Sequence, residues 1–133
     1  MNRISDEIST GTLGELLVQI RLLQYGIQAA PPLKDTGNDL IAVKTKVFRA
    51  IQVKTTTGKT YHKGTLPEHY HIMAVVGLQG QDSEIFLDNS KVFLIPKPDV
   101  KGLTTYIAGL KRYELTRELV ALLFSDDNFG PCL

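Results

Sequence analysis

Residues 37–57 constrain the fold of this chain more than any other segment. They contain two runs rich in β-branched and aromatic residues, residues 39–44 and 47–55, separated only by Thr45 and Lys46. Runs of this length and composition are typical of strands and are short for helices. The two-residue connection predicts a β-hairpin in which the residues on either side of it, Lys44 and Val47, form a pair.

The hairpin register brings polar side chains together at its open end. Asp39 lies opposite Gln52, where the Cβ atoms of directly opposed residues are about 4.5–5.5 Å apart. Alternate side chains share a face of a strand, so Gln52 and Lys54 project together, with Lys54 diagonally across from Asp39. Ile51 and Val53 point to the other face. A carboxylate, a carboxamide and an ammonium therefore converge at one end of an apolar hairpin, which makes that end a candidate active site.

The length and composition predict one globular domain that covers residues 1–133. A chain of 133 residues is long enough for a real core, and its 43% hydrophobic and 22% charged residues show no bias towards disorder. The single cysteine, Cys132, excludes a disulfide framework and a cysteine-based zinc site. The first residues lack the apolar run of a signal peptide, and no segment is long enough to span a membrane. A cytoplasmic, reducing location is expected.

Basic residues are concentrated around the hairpin, although the net charge is only +1. Residues 34–63 contain seven basic side chains against two acidic ones, Asp35 and Asp39. The basic residues are Lys34, Lys44, Lys46, Arg49, Lys54, Lys59 and Lys63. Such a patch suits a phosphate backbone. The alternative is that these are ordinary solvated lysines of loops and strand edges.

A helix is predicted over residues 12–25, with Ser9 or Thr10 as its cap and Gly26 as its stop. Apolar residues at helical spacing form a stripe that is expected to face the core. The stripe consists of Leu13, Leu16, Leu17, Ile20 and Leu23.

Glu15 lies off this stripe, on a second apolar side of the helix that also carries Val18 and Leu22. One interpretation is an ordinary exposed glutamate near a helix start, where negative charge is favourable. The apolar neighbours favour the other, a carboxylate set into a functional surface. Since a single domain has few elements to cover Val18 and Leu22, a symmetric dimer or tetramer is expected.

The remaining segments predict an α/β sandwich with a central sheet. Residues 27–33, which include Pro31 and Pro32, suggest an edge strand, and residues 56–68 a mobile loop. A buried strand is expected over residues 71–78, followed by a hairpin of residues 84–87 and 91–95. A last helix over residues 115–124 precedes a frayed tail. Its expected inward residues are Leu115, Leu119, Leu122 and Leu123.

The order of Glu15 on a helix, Asp39 opening a strand and Gln52-Val53-Lys54 on the next strand resembles the PD-(D/E)XK nuclease superfamily. The layout is similar to its compact members, the archaeal Holliday-junction resolvases and the small restriction-like homing endonucleases. The resemblance covers about residues 11–57. It implies a restriction-endonuclease-like sandwich, with a central mixed β-sheet flanked by helices.

The resemblance also implies a metal-dependent endodeoxyribonuclease that acts on DNA, is a homo-oligomer and has no membrane partner. Glu15, Asp39 and Gln52 become the metal-facing residues, with the Val53 carbonyl as a further ligand, and Lys54 becomes catalytic. The implied cofactor is Mg²⁺ or Mn²⁺, with no other small-molecule cofactor. Because Mg²⁺ keeps several waters, one or two carboxylates and a substrate phosphate suffice to bind it.

Two residues depart from the family pattern and keep alternatives open. Asn38 stands in place of the proline, and Gln52 stands in place of the third acid, which leaves two carboxylates for the metal. One alternative is therefore a catalytically inactive nuclease-fold protein that binds nucleic acid. Another is an unrelated interaction module in which Asp39 and Lys54 form a structural ion pair.

The three histidines, His62, His69 and His71, have no nearby acid or cysteine to complete a metal site. They are expected to contact substrate or to be exposed.

Overall fold

The computed structural model describes residues 6–33, 37–81 and 84–125, and it contains two α-helices, seven strands and three 3₁₀ segments within these ranges. The helices are α1 (Asp6–Leu23) and α2 (Arg117–Leu123). The strands are β1 (Gln28–Ala30), β2 (Leu40–Lys44), β3 (Val47–Thr56), β4 (Ile72–Gly77), β5 (Gly80–Gln81), β6 (Glu84–Ile85) and β7 (Lys91–Pro96). The 3₁₀ segments are Leu87–Asn89, Lys97–Asp99 and Ile107–Tyr113.

Five strands form a central mixed sheet in the order β1-β2-β3-β4-β7. The pair β3–β4 is parallel, and the other neighbouring pairs are antiparallel. The predicted hairpin is confirmed with its register, since Lys44 pairs with Val47 and Leu40 with Ile51. The predicted edge strand is confirmed as β1, and the predicted buried strand as β4, in which all six residues are buried.

The predicted hairpin of residues 84–87 and 91–95 is wrong. β6 instead pairs with β5 in a separate two-stranded sheet, and β7 joins the central sheet beside β4. The physical reason is the apolar run at positions 92–95, which is buried on both sides of the sheet. A strand of this kind needs cover on both faces, which the main sheet supplies and an isolated hairpin does not.

Each face of the central sheet carries its own apolar cluster. The first face packs against α1 and α2, and its buried residues include Leu17, Val18, Ile51, Val120 and Leu123. The second face packs against Ile107–Tyr113 and nearby loops. Its buried residues are Tyr61, Tyr70, Met73, Val75, Phe93, Ile95, Val100, Leu110 and Tyr113. The two helices therefore share one side of the sheet.

Helix α1 starts six residues earlier than predicted, so positions 9 and 10 lie inside the helix and do not cap it. Its predicted stop is confirmed. Gly26 has φ +79°, and the amides of Gly26 and Ile27 donate to the carbonyls of Leu23 and Leu22, both at 3.0 Å. This is the Schellman motif, which favours glycine because the residue at the position of Gly26 adopts a left-handed backbone conformation.

The predicted core stripe of α1 is confirmed at Leu17 and, partly buried, at Leu13, but it is wrong at its other three positions. Leu16, Ile20 and Leu23 are 47%, 50% and 63% exposed, whereas Leu17, Val18 and Leu22 are at most 3% exposed. The helix is turned so that its Gly14 side lies against the sheet. An ideal Cβ on Gly14 would stand 1.8 Å from Thr55 Oγ1, so only glycine allows this close approach.

The last helix is shorter than predicted, and Thr116 caps it, because its Oγ1 accepts a hydrogen bond from Leu119 N at 3.1 Å. Val120 and Leu123 face the core, and Leu122 is 53% exposed rather than inward. Leu115 and Leu119 pack partly against the first cluster. Residues 126–133, most of the predicted frayed tail, lie outside the described part. No helix among the described residues is both long and apolar enough to cross a membrane.

Candidate active site

Glu15 and Asp39 line the same open cavity, of about 490 Å³, where the first face of the sheet meets α1. Val53 is part of the lining as well. The other lining residues are Thr10, Gly11, Thr55, Thr56 and Thr57. The structure therefore brings together a helix carboxylate and a strand carboxylate that are 24 positions apart in the sequence.

Asp39 is fixed by the backbone of the hairpin. Its amide donates to Ile51 O at 3.1 Å, and its Oδ2 accepts a hydrogen bond from Val53 N at 2.7 Å. The backbone bond continues the β2–β3 ladder one residue before the start of β2, and the bond from Val53 N holds the carboxylate beside β3. Oδ1 accepts no hydrogen bond from any described residue.

Glu15 is half-buried, and the pKa of its carboxyl is raised. Burial is the main cause, and the nearby Asp39 carboxylate adds to it. Neither side chain has a basic ion-pair partner among the described residues. Two carboxylates that line one cavity, with the charge of Glu15 disfavoured by burial and by Asp39, are a donor set that fits a divalent cation with oxygen ligands.

Gln52 lies beside this cavity without lining it, and it is 5% exposed. Its Nε2 donates to Gly37 O at 2.6 Å and to Asn38 Oδ1 at 3.0 Å. Both partners are acceptors, and a glutamate could not donate to either of them. The amide therefore fastens the segment that leads into Asp39, and its Oε1 accepts no hydrogen bond from the described residues.

Lys54 does not line the Glu15–Asp39 cavity. Ile51 and Val53 pack into the first cluster, so the alternation along β3 directs Lys54 to the other face. Its Nζ lies 3.5 Å from the point where a Cβ on Gly64 would stand. The structural Asp39–Lys54 ion pair considered above is absent from the described residues, whose ion pairs are His69–Glu68 at 3.9 Å and Lys91–Glu114 at 3.6 Å.

The predicted basic patch is divided by the fold. Lys44 ends β2, about 17 Å along the strand from Asp39 at 3.3–3.4 Å per residue, and the exposed Lys46 lies in the hairpin turn. Lys59 is exposed, and the half-buried Lys63 donates from Nζ to Val100 O at 3.0 Å. Lys34 lies outside the described residues.

Arg49 is not a DNA-binding residue as predicted, because it is only 7% exposed. Its guanidinium donates to Leu123 O at 2.9 Å, to Phe48 O at 3.0 Å and to Ser125 O at 2.8 Å. Through these hydrogen bonds the guanidinium holds the C-terminal end of α2 against β3. Arginine is well suited to this task because its donors form a rigid fork.

The histidines form no metal site within the described chain, where no three His, Cys, Asp or Glu side chains are grouped. His62 and His69 are exposed. His71 Nδ1 accepts a hydrogen bond from Ala50 N at 2.9 Å. Burial lowers the pKa of His71, and the nearby charges of Arg49 and Lys97 lower it further.

Sequence reasoning missed the threonines of the cavity and the role of Gly14. Residues 55–57 form a run of three threonines directly after Lys54, and each of them lines the cavity. That run, just after the polar end of a predicted strand, was an available signal. The contact between Gly14 and Thr55 had no such signal, because it depends on how closely the helix approaches the sheet.

No protein-family model and no curated protein sequence matches this chain. Among solved structures, the bacterial homing endonuclease I-Ssp6803I is similar, with a TM-score of 0.53 over 79% of this chain and 75% of the endonuclease chain. The sequences are 16% identical over this match. At that identity the likeness shows the fold. This chain has a nuclease-like fold, with a five-stranded mixed sheet flanked by helices.

Proposed function

We propose that this protein is a metal-dependent endodeoxyribonuclease that hydrolyses phosphodiester bonds in DNA. The observation that carries the proposal is the pair of carboxylates, Glu15 and Asp39, which face one open cavity and have no basic partner among the described residues. The shared fold with a homing endonuclease supports DNA as the substrate. The basic residues at the hairpin turn and after β3 supply the positive charge that a phosphate backbone requires.

Glu15 and Asp39 would hold Mg²⁺ or Mn²⁺, with the Val53 carbonyl as a neutral oxygen ligand, whereas the predicted ligand Gln52 does not line the cavity. A divalent cation in such a site polarises the phosphoryl oxygen and lowers the pKa of a bound water. Gln52 Nε2 has a separate task, since it fixes the segment that precedes Asp39. Gln52 would therefore position the Asp39 carboxylate rather than bind the cation.

Lys54 does not line the cavity, so it would act from the other face of β3 on a phosphate at the cavity rim, where it would stabilise the developing negative charge or orient the attacking water. Its ammonium has no ion-pair partner among the described residues, so its charge is not neutralised by the protein itself. A preorganised donor of this kind contributes mainly to the rate, because the charge that it meets develops in the transition state. Thr55 and Thr57 line the cavity, and their hydroxyls would contact phosphate oxygens there.

The test is incubation of the protein with plasmid, single-stranded and branched DNA in the presence of Mg²⁺, Mn²⁺ or EDTA. We expect cleavage with metal and none with EDTA. Lys54→Met and Asp39→Asn should lower the cleavage rate by about 10²-fold or more while DNA binding falls only modestly. Arg117→Met removes an exposed charge on α2 and is the matched control. Wild-type cleavage that survives Lys54→Met would overturn the mechanism.

A catalytically inactive DNA-binding protein is the second candidate, and the observation that favours it is Gln52, which leaves two carboxylates in the site. In that case metal-independent DNA binding would be found with no cleavage in any of the conditions above. The same assay therefore separates the two candidates.

We also propose that the protein is a homo-oligomer inside the cell, on a basis different from the sequence prediction. Val18 and Leu22 are covered by the sheet, so they need no partner. The exposed apolar stripe of α1 is formed by Leu16, Ile20 and Leu23, and a second copy would cover it. Ile20→Lys should shift the mass measured by light scattering to the monomer, whereas Thr12→Lys on the same helix should not.

A further inference from the structure

A second open groove, of about 580 Å³, shares no lining residue with the Glu15–Asp39 cavity. It is bounded by a loop that follows β3 and by one residue of a later loop. The lining residues are Thr60, Tyr61, His62, Lys63, Gly64 and Thr105. We call it the loop groove.

Hydrogen bonds hold the loop groove in shape, although the sequence predicted a mobile loop here. Thr60 and Tyr106 form an antiparallel bridge, and Tyr61 N donates to Thr105 O at 3.0 Å. The Tyr61 hydroxyl donates to Thr104 O at 2.7 Å. The two walls of the groove are therefore joined along their length, so a ligand would meet a preformed surface.

The lining offers donors and positive charge, and none of it is acidic. Lys63 Nζ donates one hydrogen bond to Val100 O, and an ammonium carries two more N–H donors. His62 is exposed, and the Tyr61 ring is 5% exposed, so this ring offers no face for a base to stack on. No Asp or Glu occurs in residues 40–67. These properties suit a phosphate group rather than a nucleobase.

The loop groove and the Glu15–Asp39 cavity adjoin through one short piece of chain. Residues 55–57 line the cavity and residues 60–64 line the groove. Thr56 Oγ1 donates to Thr60 O at 2.7 Å, which ties the two parts together. Lys54 Nζ lies beside Gly64, at the edge of the groove. Lys54, the proposed catalytic lysine, thus lies between the Glu15–Asp39 cavity and the loop groove, which offers hydrogen-bond donors.

We propose that the loop groove binds a backbone phosphate of the DNA strand whose scissile phosphate occupies the Glu15–Asp39 cavity. The inference rests on the proposed function and deepens it, because it gives the path of the strand past Lys54. Lys63 supplies the charge at this subsite. Its contribution is uniform binding, in contrast to Lys54, so it acts on KM rather than on kcat.

The experiment compares DNA affinity at 50 and 200 mM salt for the wild type, Lys63→Gln, Lys63→Arg and the control Arg117→Gln. Loss of one phosphate contact lowers the salt slope by about 0.9. The drop in affinity over this fourfold rise in salt should therefore be about 3.5-fold smaller for Lys63→Gln than for the wild type. Lys63→Arg should restore the slope, and cleavage by Lys63→Gln should show a raised KM with kcat nearly unchanged.

A slope for Lys63→Gln equal to that of Arg117→Gln, in a wild type that binds and cuts DNA, would overturn the subsite and leave the proposed function standing. A wild type that neither binds nor cuts DNA would overturn both. Lys63→Gln also loses the bond to Val100 O. Melting temperatures are therefore measured for each variant, and a weakened affinity with an unchanged salt slope would assign Lys63 a structural role and count against the subsite.

Discussion

Replacement of Gly14 by alanine should separate helix α1 from the sheet and disturb the carboxylate pair. A Cβ at this position would stand 1.8 Å from Thr55 Oγ1 and 2.8 Å from Thr55 Cβ. Rotation of the Thr55 side chain could move the hydroxyl, but it cannot move Cβ. Ordinary contact begins at 3.4 Å, so the helix must lift by at least the difference from 2.8 Å, which is 0.6 Å.

Two opposing terms set the size of the effect on stability. Alanine is favoured over glycine in a helix by about 1 kcal/mol. Overpacking of a tightly packed contact costs about 1–3 kcal/mol and occasionally more. The clash here involves a β-carbon that cannot move, so the upper part of that range applies, and we expect a net loss of about 1–2 kcal/mol in the free energy of unfolding.

Urea denaturation measures this loss, and Gly11→Ala is the matched control. A Cβ on Gly11 would have no neighbour within 4 Å, so the same substitution in the same helix should stabilise the protein by about 1 kcal/mol. Glu15 follows Gly14, so the cleavage rate of Gly14→Ala should fall more than its stability explains at temperatures where both proteins are folded. Equal effects of the two substitutions on stability would refute the close-contact argument.

Three further predictions follow from the charges and hydrogen bonds of the site. Glu15→Gln should stabilise the metal-free protein at pH 7, because the raised pKa of the Glu15 carboxyl means that its ionised form is disfavoured in the fold. Urea midpoints should show that this gain in stability vanishes as the pH falls through about 4.3. Gln52→Glu should lower the free energy of unfolding by about 1–3 kcal/mol in urea denaturation without metal, because it removes the donor to Gly37 O and buries a charge. Addition of Mg²⁺ should recover part of this stability. The pKa of His71 is lowered in the fold, so stability should fall as the pH drops below about 6.5, where the unfolded chain takes up a proton that the fold disfavours. Protonation of Nδ1 would also remove the acceptor for Ala50 N, so His71→Gln should flatten the dependence of stability between pH 7.5 and 5.5.

The hairpin was predictable because its information is local. The two-residue turn and the β-branched runs determine the Lys44–Val47 pair, and every later pair along β2 and β3 follows from it. The position of Asp39 opposite Gln52 follows by counting. The hydrogen bond from the Gln52 amide to Gly37 O could not be predicted from the register, because the segment around Gly37 shows no hydrophobic periodicity.

The orientation of α1 was not predictable from apolar spacing, because the helix offers two apolar sides. The sequence places more large residues on the side of Leu16 and Ile20, which is the side left exposed. The other side lies against the sheet because Gly14 allows the backbone to approach Thr55 closely. A contact between backbone and side chain across 41 positions leaves no trace in hydrophobic periodicity. The same limit applies to Arg49, whose partners lie in the last helix.

The shared face of the two helices sets the order in which this chain can fold during synthesis. Helix α1 and the hairpin leave the ribosome early, but the cluster that they form is completed by Val120, Leu123 and Phe124. The hydrogen bond from Arg49 to the carbonyl of Leu123 likewise forms only after Leu123 has emerged. A nascent chain that has not emerged as far as Phe124 therefore presents an open apolar sheet face. Such surfaces aggregate or recruit chaperones, so a pause in translation just before α2 emerges should be more harmful to this protein than one after it has packed.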